Sequence, residues 1–236
     1  MKSIHLCFVL IIAVTTILVA QDTTAPTIPT ELLQELEKKW PKNRAINIVF
    51  HGHSVPAGYH KTPEVKTFES YPHLFHQELK RQYPQAVINV IVTAIGGETS
   101  VAGETRFKSD VLIHKPDVIF IDYALNDRRQ DPAKVEAAWV SMVRMAKEQK
   151  IPVILLTPTG DSSAKLENPK DPLSERAELI RRVAKAENVL LADVFAAWQA
   201  EVASGTPQSE LLSQVNHPNL RGHQLAQSVI SKLFKK

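Results

Sequence analysis

The alternation of apolar runs with amphipathic segments limits this chain to very few folds. Five nearly continuous apolar runs are typical of strands that are buried on both faces of a sheet. They occupy residues 45–50, 86–95, 117–125, 151–158 and 188–194. Because helical segments separate most of these runs, the pattern predicts a parallel sheet covered by helices on both faces. No repeat or low-complexity segment interrupts it, which indicates one α/β domain.

Five predicted helices accompany the strands. Thr30 is expected to cap a polar helix of about ten residues that ends before Pro41. The clearest helix opens at Asp131-Pro132 and carries an apolar stripe. That stripe consists of Val135, Ala138, Trp139, Met142, Val143 and Ala146. Further helices are predicted at residues 71–83, 173–186 and 222–234, with a connecting stretch before the last.

The first twenty residues have the pattern of an export signal. A basic start is followed by an apolar run from Leu6 to Val19, and the chain turns polar after Ala20. The run is short for a membrane span, and an uncleaved anchor is the alternative. We therefore predict a signal peptide at 1–20, a leader and N-terminal helix at 21–43, and the main domain at 44–236. The product is expected to be secreted or periplasmic, with no stable membrane insertion after signal cleavage.

Cysteine usage and charge exclude several classes of function. The single cysteine, Cys7, lies inside the predicted signal. The exported product would therefore have no disulfide, no cysteine nucleophile and no thiolate metal site. The formal net charge of +3 is mild and the basic residues are scattered, which argues against nucleic acid as a partner.

Polar or glycine-containing segments follow the predicted strands. They are "HGHS" at 51–54, "GGETS" at 96–100, "ALND" at 124–127 and "TPTG" at 157–160, and "NHPNLRGH" at 216–223 precedes the last helix. Since parallel strands end at one edge of a sheet, we expect these segments to meet where a ligand would bind.

Together these segments supply most parts of an acyl-transfer site. The Ser54 hydroxyl needs a base to become nucleophilic, and His217 is the best candidate. A tetrahedral intermediate needs donors directed at its oxyanion. The backbone N–H groups of Ser54 and Gly97 and the side-chain amide of Asn126 are suitable donors. Such a site requires no cofactor and no metal.

The chain resembles the SGNH, or GDSL-type, hydrolases, named after a serine, a glycine, an asparagine and a histidine in four sequence blocks. The blocks here are "GHSVPAG", "GGETS", "ALND" and "QVNHPNLRGH", in that order, and the resemblance covers residues 44–234. It implies a flavodoxin-like three-layer α/β/α sandwich with a mostly parallel sheet. It also implies Ser54 and His217 as catalytic residues, with Gly97 and Asn126 in the oxyanion hole.

The chain departs from the family pattern at three positions. His53 stands where the family has Asp, and Ala124 stands where it has Gly. More seriously, Gln214 occupies the place of the acid, three residues before His217. A backbone carbonyl, Gln214 or Asn216 is a candidate to orient the imidazole. A carboxylate from elsewhere, Asp193 or Asp122, is the alternative, so we predict a Ser–His dyad or a triad completed from an unusual position.

The resemblance implies a secreted serine esterase that forms an acyl-Ser54 intermediate. Its substrate is expected to be a small-molecule or carbohydrate acyl ester, with acetyl as the acyl group, which makes a carbohydrate acetylesterase the first hypothesis. A sugar O-acyltransferase of the same fold is an alternative. A catalytically impaired binding protein is another, and Gln214 favours it.

Two further pairs of residues have open roles. His51 and His53 share one face of a strand and could bind a metal, but no spacing nearby supplies a recognised ligand set. We expect hydrogen bonding near the nucleophile for His53 and a buried, satisfied ring for His51. Arg128 and Arg129 are either a solvated pair or contacts to an anionic or hydroxyl-rich substrate.

Overall fold

A five-stranded sheet forms the centre of the fold in the computed structural model, which describes residues 25–234. The strands are β1 Ala45–Gly52, β2 Val87–Val92, β3 Val118–Asp122, β4 Val153–Leu156 and β5 Leu190–Ala192. Their order is β2-β1-β3-β4-β5, and every pairing is parallel. This is the flavodoxin-like order. The predicted fold class is confirmed, with strands that are mostly shorter than their apolar runs.

Ten helices flank or extend the sheet within the described residues. They are α1 Thr30–Glu37, α2 Ser54–Ala57, α3 Tyr71–Gln82, α4 Ser100–Thr105, α5 Phe107–Asp110, α6 Ala124–Asp127, α7 Pro132–Glu148, α8 Pro172–Ala186, α9 Val194–Ala203 and α10 Leu220–Lys232. A small antiparallel hairpin, β6 Leu212–Gln214 and β7 His217–Pro218, precedes α10.

Alternate residues of the central strand face two separate cores. Val118 and Phe120 pack into the core that includes residues of α1, α3, α9 and α10. Ile119 and Ile121 pack into the core that includes residues of α5, α7 and α8. All five residues of β3 are buried, which explains why this strand has a continuous apolar sequence rather than an alternating one.

The helix boundaries follow local capping chemistry. Asp131 caps α7 as its position before Pro132 predicts, accepting from the Ala133 N–H at 2.9 Å. The prediction for Thr30 was wrong: Pro29 is the N-cap of α1, and Thr30 is the first helical residue. The last helix begins at Leu220, two residues earlier than predicted, because Asn219 caps it by accepting from the Gly222 N–H.

Helix α9 lies in the stretch that the sequence presents only as a connection. Its residues, "VFAAWQAEVA", are apolar on most sides, so they show no clear stripe of period 3.6. The Asp193 side chain caps it by accepting from the Ala196 N–H at 3.1 Å. Trp198 is fully buried in the core beneath it. Tertiary packing rather than amphipathic pattern therefore defines this helix.

The N-terminal part of the described chain joins the main core. Ile28, Leu32 and Leu36 are buried in the same cluster as β1. The predicted signal peptide, residues 1–20, lies outside the described residues. Between residues 25 and 234, no helix has the length and apolar character that a membrane crossing requires.

Because two histidines are buried as neutral rings, we expect the protein to lose stability in acid. Burial lowers the pKa of His51 to about 4 and that of the fully buried His223 to about 3. In the unfolded chain both titrate near 6.5. Below pH 6.5 these two histidines are therefore protonated in the unfolded state but stay neutral in the folded state. Each unit of pKa difference between the two states corresponds to about 1.4 kcal/mol in the free energy of unfolding. The free energy of unfolding should fall by several kcal/mol between pH 6.5 and pH 4.

Urea unfolding across this pH range, with the variant His223→Asn, measures the effect. His223 Nδ1 accepts a hydrogen bond from the Tyr71 N–H at 3.3 Å, and the Asn carbonyl can replace it without titrating. The variant should show a shallower dependence of stability on pH than the wild type. Equal slopes in the two proteins would contradict this assignment.

Candidate active site

The strand order places a crevice at the carboxyl end of β1. Strand β1 lies between β2 and β3, so the connections that leave β1 and β3 run to opposite faces of the sheet. In open α/β sheets, ligands bind at this switch point. Ser54 is the first residue of α2, directly after β1 and His53, and it is 5% exposed. The structure thus sets Ser54 where a ligand would enter.

His217 reaches Ser54 from the far end of the sequence. Its Nε2 lies 3.0 Å from the Ser54 Oγ, although 163 positions separate the two residues. The β6–β7 hairpin presents the ring, with Gln214 opposite His217 in the register. Burial lowers the pKa of His217 below its usual value, which keeps the imidazole neutral near pH 7. A neutral Nε2 without a proton can accept the hydroxyl proton of Ser54.

Two groups contact the other ring nitrogen of His217. Nδ1 lies 2.9 Å from the His60 backbone carbonyl and 2.7 Å from the amide nitrogen of Gln214. His60 belongs to a loop at residues 58–66 that folds back on itself through a bridge between Tyr59 and Val65. The tip of this loop is tied to Gln214, whose Oε1 accepts from the Thr62 N–H at 3.1 Å.

These contacts favour different tautomers. When Nδ1 carries the proton, it donates to the His60 carbonyl, and Nε2 is free to act as a base toward Ser54. When Nε2 carries the proton, Nδ1 can accept from the Gln214 amide, and the ring cannot act as a base. The backbone carbonyl therefore selects the productive tautomer, and the Gln214 amide nitrogen competes with it.

The carboxylates proposed as replacements for the missing acid lie elsewhere. Asp193 accepts from Arg181 at 2.8 and 3.0 Å and from the Thr157 hydroxyl at 2.9 Å. Asp122 accepts from the Tyr71 hydroxyl at 2.8 Å. These contacts and the cap of α9 engage both oxygens of the Asp193 carboxylate. In the arrangement found, the His60 carbonyl and Gln214 take that place, and neither Asp122 nor Asn216 does.

A tight turn presents Gly97 beside the end of β1. The Glu98 N–H donates to the Ile95 carbonyl at 3.2 Å, and Gly97 has a φ of 79°, which favours glycine. A Cβ on Gly97 would meet nothing within 4 Å, so this residue faces open space. The Ile95 N–H donates to the Gly52 carbonyl at 3.0 Å and attaches the turn to β1.

Asn126 is held against the same turn. Its Nδ2 donates to the Glu98 carbonyl at 2.9 Å, which uses one of two N–H bonds and leaves the second for a ligand. Asp127, fully buried, accepts from the Ser100 N–H and from Trp139, both at 2.8 Å. Asp127 therefore joins the segment after β3 to the segment after β2.

Hydrogen bonds from Arg106 and Tyr123 hold the Glu98 side chain in place. Its carboxylate accepts from Arg106 through two nitrogens, one at 2.8 Å, and from the Tyr123 hydroxyl at 2.7 Å. Burial raises the pKa of Glu98, but hydrogen bonds from Arg106 and Tyr123 outweigh it, so the net shift is downward and the group stays ionised. The turn that carries Gly97 and the partner of Asn126 is thus anchored by an ion pair.

His51 and His53 have separate partners. His51 is buried and satisfied, as expected, with Nδ1 2.9 Å from the Thr93 hydroxyl and Nε2 3.1 Å from the Gly103 carbonyl. His53 caps α2 by accepting from the Val55 N–H, and its Nε2 lies 3.3 Å from Asp122 Oδ1. Across residues 25–234, no group of three or more His, Cys, Asp or Glu side chains is arranged to hold a metal ion.

Two parts of this arrangement were not identified from the sequence. A backbone carbonyl was among the candidates to orient His217, but nothing in the sequence points to His60, since any residue carries a carbonyl and only the fold of the loop at 58–66 directs this one at the ring. Glu98 did have a signal, because it lies inside the block "GGETS". Its partner Arg106, eight residues later, could have been recognised as the matching charge.

Replacing Gln214 by Glu should increase activity. A carboxylate can keep the contacts with Thr62 and also accept from Nδ1, which stabilises the imidazolium. In the wild type the acid limb of kcat/KM should lie below pH 6.5, because the His217 pKa is lowered. In Gln214→Glu the limb should move to higher pH and kcat above it should rise several-fold. A pH–rate profile with a small ester measures both.

Val215→Glu is the matched control for that substitution. Val215 is 58% exposed and is the next residue, so the variant adds the same charge nearby. Val215→Glu should shift the acid limb of the kcat/KM profile by less than Gln214→Glu does. An unchanged profile in Gln214→Glu would show that Gln214 does not contact a titrating His217.

Breaking the Glu98 ion pair should impair the chemical step more than binding. In Glu98→Gln the turn loses its charged anchor, and the backbone carbonyl of residue 98, which accepts from the Asn126 amide, is held less firmly. Donors to an oxyanion act mainly in the transition state, so kcat should fall by about tenfold or more with little change in KM. Glu104→Gln is the control, since Glu104 contacts Ser141 instead. A rise in KM at constant kcat would contradict this role.

Comparison with known proteins gives a family match over most of the chain. The family model described as "GDSL-like Lipase/Acylhydrolase family" matches residues 50–225, more than half of the 236 positions. An acetylxylan esterase from Geobacillus stearothermophilus is 25% identical over an alignment of 159 residues, which covers 62% of this chain and 72% of that protein.

Solved structures share the fold. Axe2, an acetylxylan esterase from Geobacillus stearothermophilus, superposes with a TM-score of 0.69 at 24% identity, covering 81% of this chain and 94% of Axe2. A two-domain esterase (CEX) active on acetylated mannans gives a TM-score of 0.71 at 24% identity and 86% coverage of this chain. The present chain spans about half, 51%, of that two-domain protein.

Proposed function

The chain belongs to the GDSL-like lipase/acylhydrolase family and is a carboxylic-ester hydrolase, and from this premise we propose that it removes acetyl groups from carbohydrates through an acyl-Ser54 intermediate. The observation that carries the proposal is the 3.0 Å contact between Ser54 Oγ and His217 Nε2. That contact lies beside a turn and an amide able to bind an oxyanion. The acetyl group and the carbohydrate follow the similarity to an acetylxylan esterase.

The first half-reaction acylates Ser54. The Oγ attacks the acyl carbonyl carbon while its proton passes to His217 Nε2. Negative charge develops on the carbonyl oxygen, which accepts from the N–H groups of Ser54 and Gly97 and from the free N–H of Asn126. When the tetrahedral intermediate collapses, the C–O bond to the sugar breaks. His217 returns its proton to the departing sugar oxygen.

The second half-reaction releases the acid. His217 Nε2 takes a proton from water, and the resulting hydroxide oxygen attacks the acyl-Ser54 carbonyl. The same donors hold the second oxyanion, and the proton returns to Ser54 Oγ as acetate leaves. Throughout, the Nδ1–H group of His217 donates to the His60 carbonyl. The His60 carbonyl orients the imidazole but carries no full negative charge. The proposed catalytic pair is therefore a Ser54–His217 dyad whose histidine is oriented by a backbone carbonyl.

Export of the protein belongs to the same proposal. The pattern of residues 1–20 supports it. An exported esterase of this kind would meet polymeric or oligomeric carbohydrate outside the cytoplasm. The secreted or periplasmic location is a proposal on the same footing as the substrate.

A fluorophosphonate probe and two substitutions test the mechanism. The probe should label Ser54, as mass spectrometry of the labelled peptide would show. Ser54→Ala and His217→Ala should each lower hydrolysis of 4-nitrophenyl acetate by about 10³-fold or more. Ser109→Ala, on the exposed side of α5, should leave both labelling and hydrolysis unchanged.

Two outcomes would separate this proposal from its alternatives. A folded protein that neither reacts with the probe nor hydrolyses 4-nitrophenyl acetate would be a binding protein rather than an esterase. If labelling occurs, release of acetate with and without an added sugar acceptor distinguishes hydrolase from acyltransferase. Consumption of the ester with transfer to the sugar instead of release of acetate would indicate the transferase.

A further inference from the structure

A cavity of about 190 Å³ lies beside the proposed catalytic site, and no step of the mechanism uses it. Its wall includes Arg128 and Arg129 after β3, Asp161 and Ser163 after β4, and Pro172 and Leu173 at the start of α8. It therefore opens at the same edge of the sheet as Ser54.

Two connections fix the cavity next to the reacting groups. Arg128 follows Asn126 by two residues, just after the short helix α6. On the other side, the Ser162 N–H donates to the Val215 carbonyl at 2.7 Å, and Val215 precedes His217 by two residues. The cavity thus borders both the segment that would hold the oxyanion and the segment that would hold the base. A group bound there could belong to the same substrate molecule as the ester.

The two arginines differ, and Arg128 is not part of a solvated pair. Arg128 Nη1 lies 2.7 Å from Asp161 Oδ2, and Asp161 is 1% exposed. The other oxygen of Asp161 accepts from the N–H and hydroxyl of Ser163. Arg129 is exposed at the cavity, and its guanidinium has no ion-pair partner among residues 25–234. Its five N–H donors are available to a ligand.

The charge of the lining selects the chemical class of that ligand. Arg128 and Arg129 are balanced by Asp161 and Asp171, so the wall is close to neutral overall. The Asp171 oxygens accept from the N–H groups of Leu173 and Lys165 and are already used. A simple anion would face two carboxylates and a cation two guanidinium groups. A neutral ligand with several hydroxyls avoids both repulsions, and its hydroxyl oxygens can accept hydrogen bonds from Arg129.

Size and apolar surface narrow the ligand to one ring. At about 190 Å³ the cavity is smaller than the clefts of about 300–1,000 Å³ that take drug-sized ligands, which suits one sugar residue rather than several. Ala164, Pro172 and Leu173 supply an apolar wall for the C–H face of such a ring. We propose that this cavity is a subsite for one uncharged sugar residue of the ester's alcohol portion, with Arg129 donating to adjacent hydroxyls. This subsite rests on the proposed function.

The variant Arg129→Ala tests the subsite against a substrate that cannot use it. The quantity measured is kcat/KM for acetylated xylobiose divided by kcat/KM for 4-nitrophenyl acetate. Losing hydrogen bonds from a charged donor should lower this ratio by about tenfold. Arg129→Lys should restore part of it, since Lys keeps the charge but not the planar fork. Arg182→Ala is the control, because Arg182 is exposed on α8 against Glu136 and should leave the ratio at the wild-type value.

The possible outcomes separate the subsite from the enzymatic reaction. If the wild type hydrolyses both esters and Arg129→Ala leaves the ratio unchanged, the subsite is refuted and the proposed function stands. If the wild type hydrolyses neither ester, the proposed function fails, and saturation-transfer NMR with xylobiose then decides about the cavity. A saturation-transfer signal from the protein to xylobiose that is lost in Arg129→Ala would support the subsite. The absence of this signal in the wild type, or displacement of xylobiose by sulfate at millimolar concentration, would refute it.

Discussion

The close approach of β1 to β3 at Gly52 is the contact on which the site depends. Gly52 lies opposite Asp122 in the parallel register, and a Cβ at Gly52 would lie 2.4 Å from the Asp122 carbonyl oxygen. Only glycine permits the two strands to run side by side to the edge of the sheet. The chain then turns at once into α2, so that Ser54 is presented at the switch point. The segment after β3 begins beside it and brings Asn126 to the same edge.

The acid of a catalytic triad normally has two effects on the histidine, and in this chain, where Gln214 stands in its place, the two effects are separated. An acid both fixes the imidazole tautomer and stabilises the imidazolium, and removing it in a way that favours the wrong tautomer costs about 10⁴ in kcat. Here the His60 carbonyl at 2.9 Å performs the first task. The second is left to the weaker dipole of one peptide group. A dyad of this kind should therefore lose less than a triad that has lost its tautomer control.

The fold was largely predictable because strands buried on both faces of a sheet have nearly continuous apolar sequences. The apolar runs at 117–125 and 151–158 contain β3 and β4, and the cap at Asp131 locates α7. Helix α9 was not predictable, since its apolar residues surround it and only packing around Trp198 fixes its conformation.

The site was predictable wherever a side chain carries the chemistry. Ser54 and His217 could be paired from residue type together with the resemblance of their segments to the family's sequence blocks, and the structure brings them together. The orientation of the His217 ring depends instead on a backbone carbonyl, which every residue has, and on the fold of the loop at 58–66. The partnership of Arg128 with Asp161 likewise spans two loops whose approach no local pattern records.

The carboxylates around the site are all committed to holding loops. Glu98 pairs with Arg106 beside the turn that carries Gly97, and Asp127 ties the start of α4, just after that turn, to α6. Asp122 lies between Tyr71 and His53, so a carboxylate on the neighbouring strand stands next to the histidine that replaces the family's aspartate. None of the three contacts the His217 ring. A buried charge is costly to leave unpaired, and in this chain these carboxylates are paired with groups that hold the loops of the proposed oxyanion site. Transition-state stabilisation would then come mainly from fixed dipoles around the substrate oxygen, and less from charge behind the base.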